Sequence, residues 1–275
     1  MRHVVLLLYL LAGALLSAPA CASPRVVSLS VCADQFVLAL ADPAQIAALS
    51  STARDPAMSF YAARAKAFQQ TGPHAEEILA LHPDVVVTDD YSDASTLRLL
   101  SRIGIRTVLV PDVESFEDLQ SALRAMGDAL GRHDAGEAAA AQLASRVAAL
   151  QAARPANPPP VLYLLPTGAT AGPGTYVDET LRLAGFSNDA TRRGIKGWHR
   201  LALEELIADP PPAAVISFFI DPLASTGTIM GSNPAAARID ALAHPIAVPN
   251  ALWPCGGPML IDAAEYLRKA RMAMP

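Results

Sequence analysis

Residues 76–88 read Glu76-Glu77-Ile78-Leu79-Ala80-Leu81-His82-Pro83-Asp84-Val85-Val86-Val87-Thr88, and they carry the clearest indication of the fold class. The acids at its start belong in the first turn of a short helix, where the helix dipole favours negative charge, and Pro83 ends that helix. The run from Val85 to Thr88 is apolar without alternation, which indicates a strand buried on both faces. The stretch therefore predicts one helix–strand unit of a parallel α/β sheet.

The same pattern returns in the second half of the chain. It reads Glu204-Glu205-Leu206-Ile207-Ala208, then a proline break at 210–212, then Ala213-Ala214-Val215-Ile216-Ser217. Any two helix–strand units of one parallel sheet look alike, so the repeat alone leaves two interpretations open. We favour two similar lobes on either side of a cleft over two units of a single sheet.

Outward from these units, apolar runs alternate with segments of helical periodicity along the chain. Predicted strands lie at 25–30, 46–49, 84–88, 107–110, 161–165, 213–217 and 246–248. Predicted helices lie at 32–40, 76–81, 94–103, 115–130, 135–153, 176–184, 203–208 and 259–272. Strands that alternate with helices in this way are typical of parallel sheets covered by helices.

The helix predicted at 135–153 would be about 30 Å long, which is enough to bridge two lobes. The predicted fold class is therefore α/β: two lobes with parallel-type sheets, joined by a long connecting helix, with a ligand cleft between the lobes. We place an N-terminal lobe at 23–133, the connecting helix at 134–154 and a C-terminal lobe at 155–275.

The first 22 residues have the three parts of a signal peptide. Arg2 is the positive start, Val4 to Leu16 is the apolar core, and small residues follow at Ala18-Pro19-Ala20 and Ala20-Cys21-Ala22. The apolar run is too short for a comfortable transmembrane helix. A lipid anchor at Cys21 is the less favoured alternative, because a lipobox prefers leucine where this chain has Ala18. We expect an exported protein of the periplasm, with residues 1–22 removed.

Composition excludes several classes of protein. The chain is 52% hydrophobic and 17% charged, which is too apolar for a disordered protein. With a formal net charge of −5, the chain lacks the excess of basic residues that nucleic-acid binding requires. We therefore expect no nucleic-acid partner.

Enzyme motifs are also missing from the sequence. It contains no G-x-S-x-G and no H-E-x-x-H, and the glycine-rich stretch 167–175 lacks the Gly-Lys-Ser/Thr ending of a phosphate-binding loop. The histidines after residue 22 are not paired at helical spacing, although a metal site assembled from distant residues stays open. The prediction is a protein with no catalytic residues, no cofactor and no resident metal.

Five stretches together resemble a known family. They are Val26-Val27-Ser28-Leu29-Ser30 before a helix, the stretch 76–87, the step Ile103-Gly104-Ile105, Gly197-Trp198 before Leu203-Glu204-Glu205-Leu206, and Gly256-Gly257-Pro258 before the last helix. In order and spacing they resemble the periplasmic binding proteins of ABC importers, in the family that binds cobalamin and ferric siderophores. The resemblance covers essentially the whole chain after residue 22.

The resemblance implies a clamp that closes by a small rigid-body motion and works as a monomer. By the same resemblance, such a clamp would deliver its ligand to an ABC permease dimer with its ATPase. Trp198 aligns with a cleft tryptophan of the cobalamin-binding members. Glu76 and Glu204 align with the acidic residues that those members present to arginines of the permease.

Ligand-binding residues are harder to assign, because the chain departs from the family pattern. Gln70-Thr71-Gly72 stands where the cobalamin binder has a tryptophan, and Ala169-Thr170-Ala171 replaces an aromatic lining. Besides Trp198, the candidate ligand residues are Arg54, Tyr61, Tyr91, His199 and Trp253. Arginines at 54, 192, 193 and 200 could bind an anionic chelate, because guanidinium groups pair with carboxylates.

These departures favour a ferric chelate of the siderophore type over cobalamin, since a flat corrin wants apolar and aromatic walls. The alternative function is a periplasmic metal-ion carrier or an enzyme built on a similar two-lobed fold.

Cys32 and Cys255 are the two cysteines that remain after residue 22. Each follows a predicted strand, and the carboxyl ends of parallel strands form the binding crevice of an open α/β sheet. The periplasm permits a disulfide between them. Spacing alone does not decide between a disulfide and two separate buried thiols, so the pair is a candidate disulfide.

Overall fold

The computed structural model describes residues 23–90, 92–165, 167–217 and 245–274. The signal peptide predicted at 1–22 lies outside these residues. In the first half of the chain, a sheet of parallel strands has the order β3-β2-β1-β4-β5. Its strands are β1 (Val26–Ser28), β2 (Ile46–Ser50), β3 (Gln70–Thr71), β4 (Val85–Thr88) and β5 (Arg106–Leu109). The part of the chain that carries this sheet is called the first lobe below.

The centre of this sheet is the pair β1 and β4. Val26 lies opposite Val85 and Val27 opposite Val86, and all four side chains are buried. Valine suits a central strand because its branched side chain packs well on a pleated surface that is covered on both sides. The apolar stretch around residue 85 is therefore a central strand, as its sequence predicts.

A second parallel sheet lies in the other half of the chain, in the order β11-β10-β6-β8. Its strands are β6 (Pro160–Leu164), β8 (Ser187–Asn188), β10 (Ala214–Ile216) and β11 (Ile246–Ala247). This part of the chain is the second lobe. It also carries a short antiparallel ribbon of β7 (Ala169–Ala171) and β9 (Trp198–Arg200), which the sequence patterns do not predict.

Helices surround both sheets. In chain order they are α1 (Val31–Leu40), α2 (Ala62–Ala65), α3 (Ala75–Ala80), α4 (Ala94–Arg102), α5 (Phe116–Ala129), α6 (His133–Ala152), α7 (Tyr176–Leu183), α8 (Asp189–Arg192), α9 (Leu203–Ala208) and α10 (Leu260–Met272). Short 3₁₀ turns lie at Pro43–Gln45 and Asn250–Leu252. Side chains cap several helix starts: those of Ser30, Asp93, Ser115 and Thr175 accept hydrogen bonds from the first turns of α1, α4, α5 and α7.

Helix α6 is the connecting helix. It has 20 residues, follows α5 and leads directly to β6, the first strand of the second lobe. Its Arg146 donates hydrogen bonds to Asp262 (2.7 Å) and Glu265 (2.9 Å) of α10, so the last helix is attached to it. The fold class predicted from the sequence is confirmed: two α/β lobes with parallel sheets are joined by a long helix.

The main hydrophobic core runs through both lobes. One buried cluster contains Phe36 and Leu119 from the first half, Leu143 from the connecting helix, and Tyr163 and Leu260 from the second half. Two smaller clusters lie on the remaining faces of the sheets. Among the residues that the structure describes, no helix combines the length and the apolar character that a membrane span needs.

Candidate functional site

A cleft of about 380 Å³ lies between the lobes, beyond the carboxyl ends of β4 and β5. Open α/β sheets place their ligand sites at this end, because the loops that follow the strands converge there. The residues of the cleft come from both halves of the chain: Cys32, Asp89, Val110, Asp112, Val113, Glu114, Gly174, Thr175, Tyr176, Trp198, Pro254, Cys255 and Gly256.

The second lobe contributes an aromatic wall. Trp198 is 51% exposed and makes edge contacts with Tyr163 (ring centroids 6.3 Å apart) and Tyr176 (5.8 Å). Tyr163 is buried behind it, and burial raises the pKa of Tyr163 above its usual range. Tyr163 in turn makes an edge contact with the buried ring of Trp253 at 5.1 Å. Edge-to-face contacts of this kind hold a ring in place, so Trp198 presents a fixed aromatic surface to the cleft.

The ribbon of β7 and β9 positions Trp198. Ala171 lies opposite Trp198 in the ribbon, and the chain enters β9 through Gly197, whose φ of 62° suits glycine. The Gly197 amide donates to the Pro173 carbonyl at 2.9 Å, and the Gly172 amide donates to the Gly197 carbonyl at 2.8 Å. These two bonds fix the backbone directly before the tryptophan.

Tyr176 is positioned by the start of α7. The Thr175 hydroxyl donates to the Gly172 carbonyl at 2.9 Å and accepts from the Asp178 amide at 3.2 Å. This cap joins the start of the helix to the turn that leads out of β7. Tyr176 and Trp198 are therefore held by one continuous set of backbone and hydroxyl hydrogen bonds.

The first lobe contributes an acidic wall. Asp89 follows β4, while Asp112 and Glu114 follow β5. Asp118 holds this second loop, because its carboxylate accepts from the amides of Glu114 (3.3 Å) and Ser115 (3.0 Å). Among the described residues that line the cleft, three carry a carboxylate and none is Lys, Arg or His.

The floor of the cleft is where the two halves of the chain touch. Cys32 and Cys255 form a disulfide with their Cα atoms 6.0 Å apart, within the usual range for such bonds. Next to it, a Cβ on Gly256 would lie 2.7 Å from Cβ of Val113 and 2.8 Å from the Val113 carbonyl oxygen. Only glycine permits this approach. The loop before α10 is thus joined covalently to the start of α1 and packed against the acidic loop.

The other residues proposed from the sequence as ligand contacts lie elsewhere. Arg54 is exposed and its guanidinium donates to the Phe68 carbonyl. Tyr61 lines a separate cavity of about 310 Å³ beside Arg146 and Asp262. Burial, with the nearby Asp262 carboxylate, raises the pKa of the Tyr61 hydroxyl. These two side chains therefore do not belong to the cleft formed by the described residues.

Three further candidates complete the set. Trp253 is 1% exposed and its indole N–H donates to the Ser217 hydroxyl at 3.0 Å. It therefore packs in the core against Tyr163 and does not face the cleft. His199 is exposed, but successive side chains of a strand point to opposite faces, which turns it away from the face that carries Trp198. Tyr91 lies outside the described residues.

The remaining arginines that the sequence suggested are used elsewhere. Arg192 and Arg193 both bind Asp189, with nearest distances of 2.7 and 2.8 Å, and both reach Asp209. Burial alone would raise the pKa of Asp189, but hydrogen bonds from the two guanidinium groups outweigh it and lower that pKa. Arg200 donates to the Thr167 carbonyl at 2.9 Å. The expected arginine lining is therefore not found in the described cleft.

Glu76 and Glu204 occupy equivalent places on the outside of the two lobes. Each lies in the first turn of a short helix, α3 or α9, that leads to a buried strand. The neighbouring acid of each pair binds the backbone ahead of its helix: Glu77 accepts from the Gly72 amide at 2.8 Å and Glu205 from the Ala202 amide at 2.7 Å. Glu76 and Glu204 are exposed, with no hydrogen bond or ion pair to the described residues.

Sequence reasoning missed the acidic wall and the two tyrosines. The signal that could have found Asp89 and Asp112 is their position just after predicted strands, the same rule that pointed to the cysteines. No group of three or more His, Cys, Asp or Glu side chains within the described ranges is arranged to hold a metal ion.

Two α/β lobes on a long helix, with a cleft at the carboxyl ends of their strands, define a ligand-binding protein of the two-lobed class. A family model described as "Periplasmic binding protein" matches residues 26–244, so this chain belongs to the periplasmic binding protein family. The family predicted from the sequence is confirmed.

Relatives and solved structures add detail. A curated cobalamin-binding protein of Halobacterium salinarum is 26% identical over 187 residues, which is 67% of this chain and 47% of the relative. The chain thus spans about half the length of that relative. The periplasmic heme-binding protein RhuT from Roseiflexus sp. RS-1 is 27% identical, with a TM-score of 0.68 over 90% of this chain and 99% of the other. A periplasmic heme-binding protein from Pseudomonas aeruginosa is 26% identical, with a TM-score of 0.70 over 90% and 92%.

Proposed function

We propose that this protein captures a flat metal chelate in the periplasm and delivers it to an ABC importer. The observation that carries the proposal is the half-exposed ring of Trp198, braced by Tyr163 and Tyr176 at the mouth of a cleft between two lobes. Apolar ring faces are recognised by aromatic walls of this kind.

A macrocycle fits these observations better than a ferric siderophore. The curated relative is named for cobalamin, and the two similar structures are named for heme, so all three names concern metal macrocycles. An anionic siderophore complex would need cationic partners, and the described lining of the cleft offers carboxylates instead. Binding, and not catalysis, is the activity that we propose.

Delivery requires a second surface, which we assign to Glu76 and Glu204. Both carboxylates are exposed and without partners among the described residues, and the repeat places one on each lobe. A permease dimer with its ATPase would meet both with matching arginines. On this proposal the protein is exported as a monomer after loss of residues 1–22, and the lobes are bounded as the sequence suggests, at 23–133 and 155–275.

The test is to purify the mature protein from its own periplasm and to record the mass of bound ligand and the visible absorption spectrum. A bound corrinoid or iron macrocycle supports the proposal. Ligand-stripped protein is then titrated with cyanocobalamin, hemin and ferric citrate. Saturable binding of a macrocycle at a ratio of one is the expected result. Binding of ferric citrate alone, or of none of the three probes, would refute the proposed ligand class.

A further inference from the structure

The acidic wall carries negative charge, which capture of a metal macrocycle does not by itself require. Asp112 and Glu114 are exposed at the cleft, and neither side chain has a hydrogen bond or an ion pair to the described residues. Asp89 adds a third carboxylate at the end of β4. No Lys, Arg or His of the described lining offsets the charges of Asp112 and Glu114.

The wall cannot easily move aside. Asp118 holds the amides of Glu114 and Ser115, and Ser115 caps α5 in return, so the backbone of the acidic loop is fixed at its helix end. Between the two acids, Val113 lies so near Gly256 that a Cβ on that glycine would be 2.7 Å from Cβ of Val113, and the neighbouring disulfide anchors Gly256. A ligand that meets this wall must therefore accommodate its charge.

Resting on the function proposed above, we propose that Asp112 and Glu114 select the ligand by charge. The cleft takes a flat metal macrocycle whose edge is neutral or cationic and rich in N–H donors, such as primary amides. It discriminates against the same kind of ring when its edge carries carboxylates.

Two physical effects act in the same direction. Carboxylates that accept hydrogen bonds from amide N–H groups form charge-assisted bonds, which are stronger than bonds between neutral groups. A ligand carboxylate placed against the same wall meets like charge in a partly desolvated cleft, where repulsion is stronger than in water. Specificity of this kind arises from an unfavourable contact with the wrong ligand as well as a favourable one with the right ligand.

The aromatic wall does not make this distinction. The rings of Trp198 and Tyr176 face the cleft from the second lobe and contact ring surfaces whatever the charge of the edge. The aromatic wall thus recognises the flat ring, and the acidic wall recognises the edge of the ring.

A matched pair of probes tests the proposal. Hemin carries two carboxyl groups. Hemin amidated at both groups keeps the ring and the iron but loses the two carboxylate charges. Each is titrated into the ligand-stripped protein by visible absorption, with cyanocobalamin as an amide-bearing reference. We expect the amidated ring to bind at least tenfold more tightly than hemin, and we expect salt to narrow the gap because it screens the repulsion.

Variants locate the effect. Asp112→Asn with Glu114→Gln should strengthen hemin binding about tenfold and weaken amidated hemin several-fold. The control Glu117→Gln with Asp134→Asn removes the same charge from exposed acids that do not line the cleft, and should change neither affinity. Thermal melting by circular dichroism checks that both double variants are folded.

The outcomes separate two kinds of failure. Equal affinity for hemin and amidated hemin in the wild type, or the same affinity ratio in the Asp112 and Glu114 variant, would overturn charge selection and leave the macrocycle function standing. No binding of any probe by the wild type would overturn the proposed function, and the selectivity with it.

Discussion

The two lobes are alike on the outside and unlike in the cleft. On the outside, α3 with β4 and α9 with β10 repeat the same unit. In each, one acid accepts a hydrogen bond from the backbone ahead of the helix, and its neighbour has no partner among the described residues. In the cleft, the first lobe presents Asp112 and Glu114, and the second presents Trp198 and Tyr176. A symmetric partner requires equivalent surfaces, whereas a ligand with a flat face and a polar edge requires different ones. The equivalent outer surfaces therefore suit a symmetric partner, and the different cleft walls suit such a ligand.

Charge reversal on the outer surfaces of the two lobes should have the strongest effect of the predicted changes. Reversing both charges, with Glu76→Lys and Glu204→Lys, should abolish uptake in cells, because two attractive contacts with the permease become repulsive. Affinity for the ligand in solution should stay unchanged, since neither residue lines the cleft. Uptake of labelled ligand and an absorption titration measure the two quantities.

Single reversals test each lobe separately, because equal losses of uptake from Glu76→Lys and Glu204→Lys would show that the lobes contribute equally. Glu117→Lys with Asp134→Lys is the control, as it reverses exposed acids of other helices. Weaker ligand binding by folded Glu76→Lys would place that residue in the cleft and exclude a pure docking role.

The next effect concerns the bond that joins the two sides of the cleft. Cys32 and Cys255 are 223 residues apart in sequence, and closing a loop of that length restricts the unfolded chain strongly. Replacing both by serine should lower the free energy of unfolding by about 5 kcal/mol on the loop-entropy estimate. Denaturant unfolding measures the change. Reductant should lower the stability of the wild type to that of the variant and leave the variant unaffected; a wild type insensitive to reductant would show that the bond is absent.

A smaller effect tests the aromatic wall of the second lobe. Trp198→Ala should weaken ligand binding by about 1–3 kcal/mol, because the ring loses its contact with the ligand. Trp198→Phe should recover part of the loss. Affinity, not the amplitude of fluorescence quenching, is the quantity to compare, since a coloured macrocycle also quenches Trp253 by energy transfer.

His199→Ala is the matched control for the tryptophan. It changes the next residue of the same strand, on the opposite face, and should leave affinity unchanged. Equal losses from both changes would mean that the ribbon as a whole supports the site, and that the second lobe has no separate aromatic wall.

Much of the fold is readable from the sequence because its signals are local. Predicted helices at 94–103, 176–184 and 203–208 agree with α4, α7 and α9 to within one residue at either end. The ribbon of β7 and β9 has no such signal. Each strand has three residues, and the stretch 167–175 resembles a glycine-rich turn until its partner is brought alongside from residues 198–200.

The site is less readable because residue type does not reveal exposure. Trp198 and Trp253 are both flanked by turn-like sequence, yet one is half-exposed and the other is core. Arg192 and Arg193 resemble anion-binding residues until the fold brings Asp189 and Asp209 to them. Asp112 and Glu114 resemble ordinary loop acids, and only the meeting of two distant segments makes them a wall of the cleft.

The weakest of the predicted effects concerns stability and two buried carboxylates, one in each lobe. Asp34, fully buried in the first lobe, accepts hydrogen bonds from the hydroxyl (2.5 Å) and the amide (3.1 Å) of Ser50. Burial raises the pKa of Asp34, and hydrogen bonds from Ser50 and Ser28 offset this only in part. Asp189 of the second lobe is nearly as buried, but Arg192 and Arg193 lower its pKa. The two carboxylates should therefore contribute to the pH dependence of stability with opposite signs.

For Asp34, the folded state holds its proton to a higher pH than the unfolded chain does. Its contribution to stability is complete below the ordinary aspartate pKa and is lost as pH rises through the raised value. Asp34→Asn keeps the shape and cannot ionise, so we expect it to be more stable than the wild type by about 1 kcal/mol at neutral pH, with no gain at pH 3. Asp189→Asn should lose stability at neutral pH, and the loss should shrink as pH falls through the lowered pKa. Urea unfolding of both variants and the wild type from pH 3 to 7 measures how each change in the free energy of unfolding varies with pH. A variation of the same sign for both variants would contradict the opposite roles of Asp34 and Asp189.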